Sequence, residues 1–198
     1  MRLDAYHNRG FSRGKPAWFE ALWIFAQWAF LRSQIPGSSQ RRLILRMFGA
    51  RIGKGVTIKP GVRVKFPWRL TIGDHSWIGE DVWIDNLAAV AIGSHCCISQ
   101  GAYLCSGNHD WAAVAFDLRA EPIRICDSVW IGARSVVAPG VTIGEGSILA
   151  LGSIATRTTP AWSINSGNPA KPIKSRPRSS SVIALREAAH SRSSLPIQ

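Results

Sequence analysis

The side chains able to move a proton near neutral pH are His7, His75, His95, His109 and His190. His109 differs from the others in its surroundings. It stands in Ser106-Gly-Asn-His109-Asp110-Trp111, a polar, turn-forming stretch, and an imidazole there can accept a proton and return it. Asp110, Asp117 and Glu121 follow closely, and any of them could orient the ring; the sequence does not choose among them. Cys96, Cys97, Cys105 and Cys126 lack the paired Cys-x-x-Cys spacing of a zinc site, and the adjacency of the first two rules out an ordinary local bridge. They read as reduced thiols of a cytosolic protein, acting as small buried hydrophobes.

What must position these residues is a repeat of six. Aliphatic residues recur at Ile52, Ile58 and Val64, at Ile72, Ile78 and Ile84, at Ile92, Ile98 and Leu104, and again at Ile125, Ile131, Val137, Ile143 and Leu149, closing on Ala155. Four residues after most of them comes a small or β-branched side chain, as at Val56, Ser76, Cys96, Ala102, Ser135 and Ser153. Glycine commonly follows the aliphatic directly, as at Gly53, Gly73, Gly93 and Gly132, where it is expected to relieve backbone constraint at a corner. Each unit is then a short strand and a corner. Three units return the chain above its start, with strands about 4.8 Å apart and the aliphatics filling a triangular core. The first coils are two residues longer than three perfect units, which places insertions at corners. Between Leu104 and Ile125 the count breaks by about fifteen residues, so a loop, 105–124, must protrude and carry His109.

Charge divides the chain. The net charge of +12 would suit nucleic acid if it were spread evenly. Instead, residues 2–69 hold 14 Lys and Arg against Asp4 and Glu20, whereas residues 71–174 hold 6 against 9 Asp and Glu. No nucleic-acid partner is expected. Residues 1–50 form a basic, aromatic segment in which Trp18 to Leu31 reads as one apolar helix, followed by Arg32, Arg41, Arg42 and Arg46. It is too short to span a bilayer and has no convincing signal-peptide pattern. It is expected to pack on the repeat or on a neighbouring subunit, or to lie on a membrane with its tryptophans at headgroup depth and these arginines, tested at Arg41 and Arg42, on anionic lipid. Residues 175–198 read as a flexible Ser/Arg-rich tail, with a short helix near 182–189 as the alternative.

Residues 51–174 resemble the hexapeptide-repeat acyltransferases, and Phe66 to Trp83 with Ile92 to Cys105 resemble the colanic-acid-biosynthesis type of sugar O-acetyltransferase. The resemblance implies a mainly β fold, a parallel β-helix wound left-handed against the usual crossover preference, with an N-terminal helix and a flexible tail. It implies acetyl-CoA as cosubstrate, no required metal, and a nucleotide- or lipid-linked sugar as acceptor in bacterial exopolysaccharide synthesis. It also implies a homotrimer in the cytoplasm, with peripheral contact at the inner membrane face. His109 takes the place of the catalytic base at the end of the strand holding Tyr103. Asp85 and Asn86 fall where related enzymes present polar groups to the acceptor, though corner residues bonding their own backbone would look the same.

Val129-Trp-Ile-Gly-Ala133, Gly152 to Arg157 and Gly167-Asn-Pro-Ala-Lys171-Pro-Ile-Lys174 resemble the coenzyme segments. By that match Ala133 and Leu151 hold the pantetheine through their backbone and Trp130 walls the thioester channel, while Thr156, Arg157, Lys171 and Lys174 lie near the nucleotide phosphates. Leu151 stands where a small residue is common, and Lys171 where arginine often appears. Two other classes share such a solenoid. A γ-carbonic-anhydrase-like enzyme needs three imidazoles on zinc across a subunit interface. His75 and His95 occupy equivalent corners, but the third ligand has no evident source. A non-catalytic scaffold leaves the His109 loop unexplained.

Overall fold

The computed structural model of the chain describes residues 1–7 and 10–178, so the tail from 179 onward, including His190, lies outside the described residues. Short parallel strands stack into three faces. The first holds Arg51–Ile52, Leu70–Ile72, Val90–Ile92, Ile123–Ile125 and Thr142–Ile143; the third holds Arg63–Val64, Trp83–Asp85, Tyr103–Cys105, Val136–Val137 and Ile154–Ala155. The second runs from Thr57–Ile58 through Trp77–Ile78, Cys97–Ile98, Trp130–Ile131 and Ile148–Leu149 to Ser163–Gly167, and ends with Ala170–Ser175 paired antiparallel. Register follows the repeat: Ile52 pairs with Ile72, Ile72 with Ile92, Ile92 with Ile125 and Ile125 with Ile143. These aliphatics are buried in one continuous core.

Two kinds of corner residue separate in the structure. The glycine directly after the aliphatic is not in the left-handed region at Gly53, Gly73, Gly79, Gly93, Gly132 or Gly144. It is needed for a different reason, since a Cβ on Gly132 would lie 2.5 Å from the Leu151 nitrogen and 2.8 Å from the Ala150 carbonyl carbon of the next coil. The positive φ falls two residues later, on Gly55, His75, His95, Ser128 and Gly146 at the first corner and on Gly61, Asp81, Gly101, Arg134 and Gly152 at the second. The small residue one position further is buried. Where it is serine, the hydroxyl satisfies the next coil: Ser76 donates to the Gly93 carbonyl at 2.8 Å and Ser135 to that of Ala150 at 2.8 Å.

Both two-residue insertions and the long excursion lie at one corner, where the third face passes to the first. Val64 to Ile72, Ile84 to Ile92 and Leu104 to Ile125 all exceed six residues, whereas Val137 to Ile143 does not. The excursion is shorter than 105–124. Cys105 ends a strand of the third face and Ile123 begins one of the first, and the intervening chain forms an antiparallel hairpin of Gly107–His109 and Leu118–Ala120.

The amino-terminal segment caps the first coil with two helices where one was expected. α1 spans Ala17–Ala26 and passes into a π-helical turn, Gln27–Leu31; α2 spans Ser39–Met47. The turn brings Gln27 Oε1 within 2.6 Å of the Val64 N–H and the Leu31 carbonyl within 3.2 Å of that of Gly61. Further groups of the coil edge are taken by Trp23, whose Nε1 donates to Val64 O at 2.9 Å, by Arg42 donating to Val56 O at 2.6 Å, by Arg46 donating to Ile52 O at 2.6 Å, and by the Ser38 hydroxyl, which accepts the Ile58 N–H at 3.0 Å. Arg41 is 1% exposed and donates to the Leu31, Ser33, Ile35 and Gly37 carbonyls. The expectation that Arg41 and Arg42 reach anionic lipid is therefore corrected: both are spent on closing a sheet edge and its connecting loop. Among the described residues no helix is long and apolar enough to cross a membrane.

Candidate active site

His109 is half-buried at the end of its hairpin strand, and its Nδ1 lies 2.8 Å from the Phe116 carbonyl. A carbonyl only accepts, so Nδ1 carries a proton, and in the neutral ring Nε2 then keeps its lone pair. The ring is further fixed by a parallel stack on Phe116, with centroids 4.3 Å apart and planes 2° apart, and by the edge of Tyr6 at 5.6 Å. Phe116 is held at φ 52°, an unusual backbone state for a large side chain, which is what turns its carbonyl toward the imidazole.

None of the three carboxylates orients the ring. Asp110 pairs with Arg119 at 2.5 Å and accepts the Ala112 N–H at 3.1 Å; that N–H, followed by Arg119, holds its carboxyl below the usual range. Asp117 and Glu121 are exposed. Tyr6 was not evident in the sequence as a site residue. It arrives because the amino-terminal chain runs along the hairpin, where the Arg2 N–H donates to Val114 O at 2.9 Å.

One coil below the excursion, Asp85 is buried at the end of its strand. It accepts the Tyr103 hydroxyl at 3.1 Å on one oxygen, with the Lys65 ammonium 3.2 Å from the other. Burial, more than any neighbour, raises the Tyr103 pKa, so the phenol is a hydrogen-bond donor. Trp83 stacks on Tyr103 with centroids 4.5 Å apart, and Arg63 lies over Trp83. Asn86 departs from the expectation: it is fully buried, its Oδ1 accepts the Phe66 N–H at 2.9 Å and its Nδ2 donates to the Phe66 carbonyl at 2.7 Å. It is a corner residue pinning two coils, not an acceptor contact.

The second corner holds a cavity of about 620 Å³ lined mainly by apolar groups, with Trp130, Ala133, Leu151 and Lys174 of the expected coenzyme set on its wall, joined by Gln100 and Ile173. Leu151 is 79% exposed and Ile173 62%. The Trp130 ring is fixed by Nε1 donating to Ser99 Oγ at 2.9 Å, and the Ala133 carbonyl already accepts the Gly152 N–H at 2.8 Å. Thr156, Arg157 and Lys171 are exposed but do not line this cavity. His109 does not line it either; its hairpin leaves from the third corner. His75 and His95 stack 5.4 Å apart, and among the described residues no three His, Cys, Asp or Glu side chains gather as a metal site. The buried Cys96 thiol has its pKa pushed up to about 11 by desolvation.

A family model described as "Bacterial transferase hexapeptide (six repeats)" matches residues 122–153. The sequence is 40% identical over 168 residues, covering 85% of this chain and 92% of the relative, to a putative colanic acid biosynthesis acetyltransferase, WcaF, of Escherichia coli (strain K12). It is 31% identical over 147 residues, 70% of each chain, to the galactoside O-acetyltransferase of the same organism. Among solved structures, a hexapeptide-repeat-containing acetyltransferase from Vibrio cholerae O1 biovar eltor, complexed with acetyl coenzyme A, superposes with a TM-score of 0.76 at 23% identity, over 84% of this chain and 92% of that one. The likeness extends to the left-handed winding of the coils.

Proposed function

The chain belongs to the hexapeptide-repeat acetyltransferases, and we propose that it moves an acetyl group from acetyl-CoA to a sugar hydroxyl in bacterial exopolysaccharide synthesis, with His109 as general base. The observation that carries the reading is the Nδ1 bond from His109 to the Phe116 carbonyl, which fixes the tautomer with a free Nε2. That nitrogen takes the hydroxyl proton as the sugar oxygen attacks the thioester carbonyl. Backbone N–H groups stabilise the tetrahedral oxyanion. As the carbon–sulfur bond breaks, the proton held on Nε2 passes to the departing thiolate, and no acyl-enzyme forms.

The apolar cavity at Trp130, Ala133 and Leu151 suits a pantetheine arm, and Lys174 on its wall suits a phosphate. Arg157, Thr156 and Lys171 serve the nucleotide end from the exposed surface beyond it. Asp85, Tyr103 and the stacked Trp83 sit on the corner ridge below the hairpin and form the acceptor side. The acceptor is a sugar carried by a nucleotide or a lipid, met on the cytoplasmic side of the inner membrane. Because the base and the coenzyme cavity lie at different corners of one solenoid, the working site is formed between subunits of a homotrimer.

A CoA-release assay with candidate glycan acceptors tests the reading. His109→Ala is expected to lower turnover by about 10²- to 10⁴-fold with the fold intact. Turnover at the wild-type rate would place the base elsewhere.

A further inference from the structure

α1 is apolar on both sides. Trp23 and Ala26 are buried against the solenoid, and Glu20 on the same side is engaged by Arg13. The opposite side carries Trp18, Leu22, Phe25 and Trp28, exposed to 69%, 50%, 62% and 67%, in one stripe continuing into the π-helical turn. A helix that is apolar all round calls for burial on both faces, and the solenoid supplies only one. The helix is too short to cross a bilayer, so the second face can be covered only by something it lies on.

Charge and chemistry select the occupant. Glu20 is the sole carboxylate between residues 5 and 73, and it faces inward, whereas Lys15 and Arg32 stand exposed at the two ends of the stripe. A groove of about 380 Å³ between Ala21, Ile24, Phe25 and Trp28 ends on Arg32. Apart from two indole N–H groups, the stripe carries no side-chain hydrogen-bonding group that an acyl boundary would leave unpaired. Indoles bordered by cations suit the headgroup boundary of a negatively charged bilayer.

We infer that α1 lies in the surface of an anionic phospholipid membrane, with Trp18, Leu22, Phe25 and Trp28 at the acyl boundary and Lys15 and Arg32 against lipid phosphates. Of the arginines suggested by the sequence Arg32 keeps this place, whereas Arg41, Arg42 and Arg46 serve the cap. The inference goes beyond the acetyl transfer proposed above and does not rest on it.

Co-sedimentation of the full chain with vesicles tests it, using phosphatidylcholine alone and an equimolar mixture with phosphatidylglycerol. Binding to the mixture is expected, weaker by about tenfold or more without the anionic lipid. The double variant Phe25→Ser/Trp28→Ser should bind at least about a hundredfold more weakly, and Arg32→Glu about tenfold more weakly; Arg42→Gln should bind as wild type does. Wild-type chain left in the supernatant with the mixture, or variants that bind unchanged, would overturn the inference. So would conversion of the oligomer to monomers by the double variant in sedimentation velocity, because a second copy would then be the cover. CoA release with a soluble acceptor should be the same for the double variant and wild type. Loss of vesicle binding and loss of catalysis are thus read separately.

Discussion

His109 donates to a main-chain carbonyl where a carboxylate would be the more familiar partner, and this changes which substitutions can disturb it. No side-chain replacement removes the Phe116 carbonyl, but its direction depends on φ 52° at that residue. Glycine tolerates this state, and a β-branched residue resists it. Phe116→Gly should keep the carbonyl in place and lose only the ring stack, lowering kcat by less than about tenfold. Phe116→Val should swing the carbonyl away at a cost of about 1–3 kcal/mol, equivalent to about 5- to 150-fold in kcat. Equal rates for the two variants would show that the carbonyl does not orient the base. The place of His109 on an excursion from the coil was legible because a period of six made its interruption conspicuous. The carbonyl that its Nδ1 meets was not, since a main-chain group leaves no mark on residue type. Asn86 shows the same limit from the other side: a polar corner residue reads alike whether it bonds a substrate or, as here, both backbone groups of Phe66.

The repeat unit carries two separate glycine requirements, and they predict different costs. At Gly132 the space is occupied by backbone of the next coil, so Gly132→Ala must push two coils apart. A loss of about 1–3 kcal/mol, typical of overpacking, is expected in urea unfolding. At Gly152, which has φ 66° and nothing within 4 Å of an added Cβ, alanine meets only the backbone preference and should cost about 1 kcal/mol. Solenoid strands were readable because inward aliphatics alternate with corners. The cap was only half readable: α1 has the apolar pattern of a buried helix, but α2 buries Arg41 beside Leu45 and so blurs the usual amphipathic rule. Its arginines face the protein to bond carbonyls, while Leu43 and Met47 are 58% and 66% exposed. Between α1 and the chain before it, the Arg13 side chain holds the Glu20 carboxyl below the usual glutamate range, more than offsetting its desolvation. A depressed folded pKa contributes stability that is complete above the unfolded value of about 4.3 and is lost as pH falls through the lowered folded value. Acid should therefore loosen the cap. Unfolding midpoints measured between neutral pH and pH values below that range should fall more steeply for wild type than for Glu20→Gln.

In the whole molecule, the excursion and the cavity stand at different edges of one prism. His109 belongs to a hairpin on the corner from the third face to the first, and Gln100, Ala133 and Leu151 line a cavity on the corner from the second to the third. A rigid parallel solenoid cannot bend one corner onto another, because every coil is bonded to the next through three ladders. A second copy can bring them together, and a closed ring of three gives every subunit one base to lend and one cavity to fill. Subunit mixing turns this into a measurement. His109→Ala removes the proposed base, and Leu151→Trp fills the cavity from a position that is exposed and should tolerate it. Each variant alone should be inactive. If the two are unfolded together and refolded at equal concentration, random assembly pairs an intact hairpin with an intact cavity at about a quarter of the interfaces. About that fraction of wild-type CoA release should return. Mixed assemblies that stay silent, with mixing verified by mass, would place base and coenzyme within one subunit and remove the need for a ring.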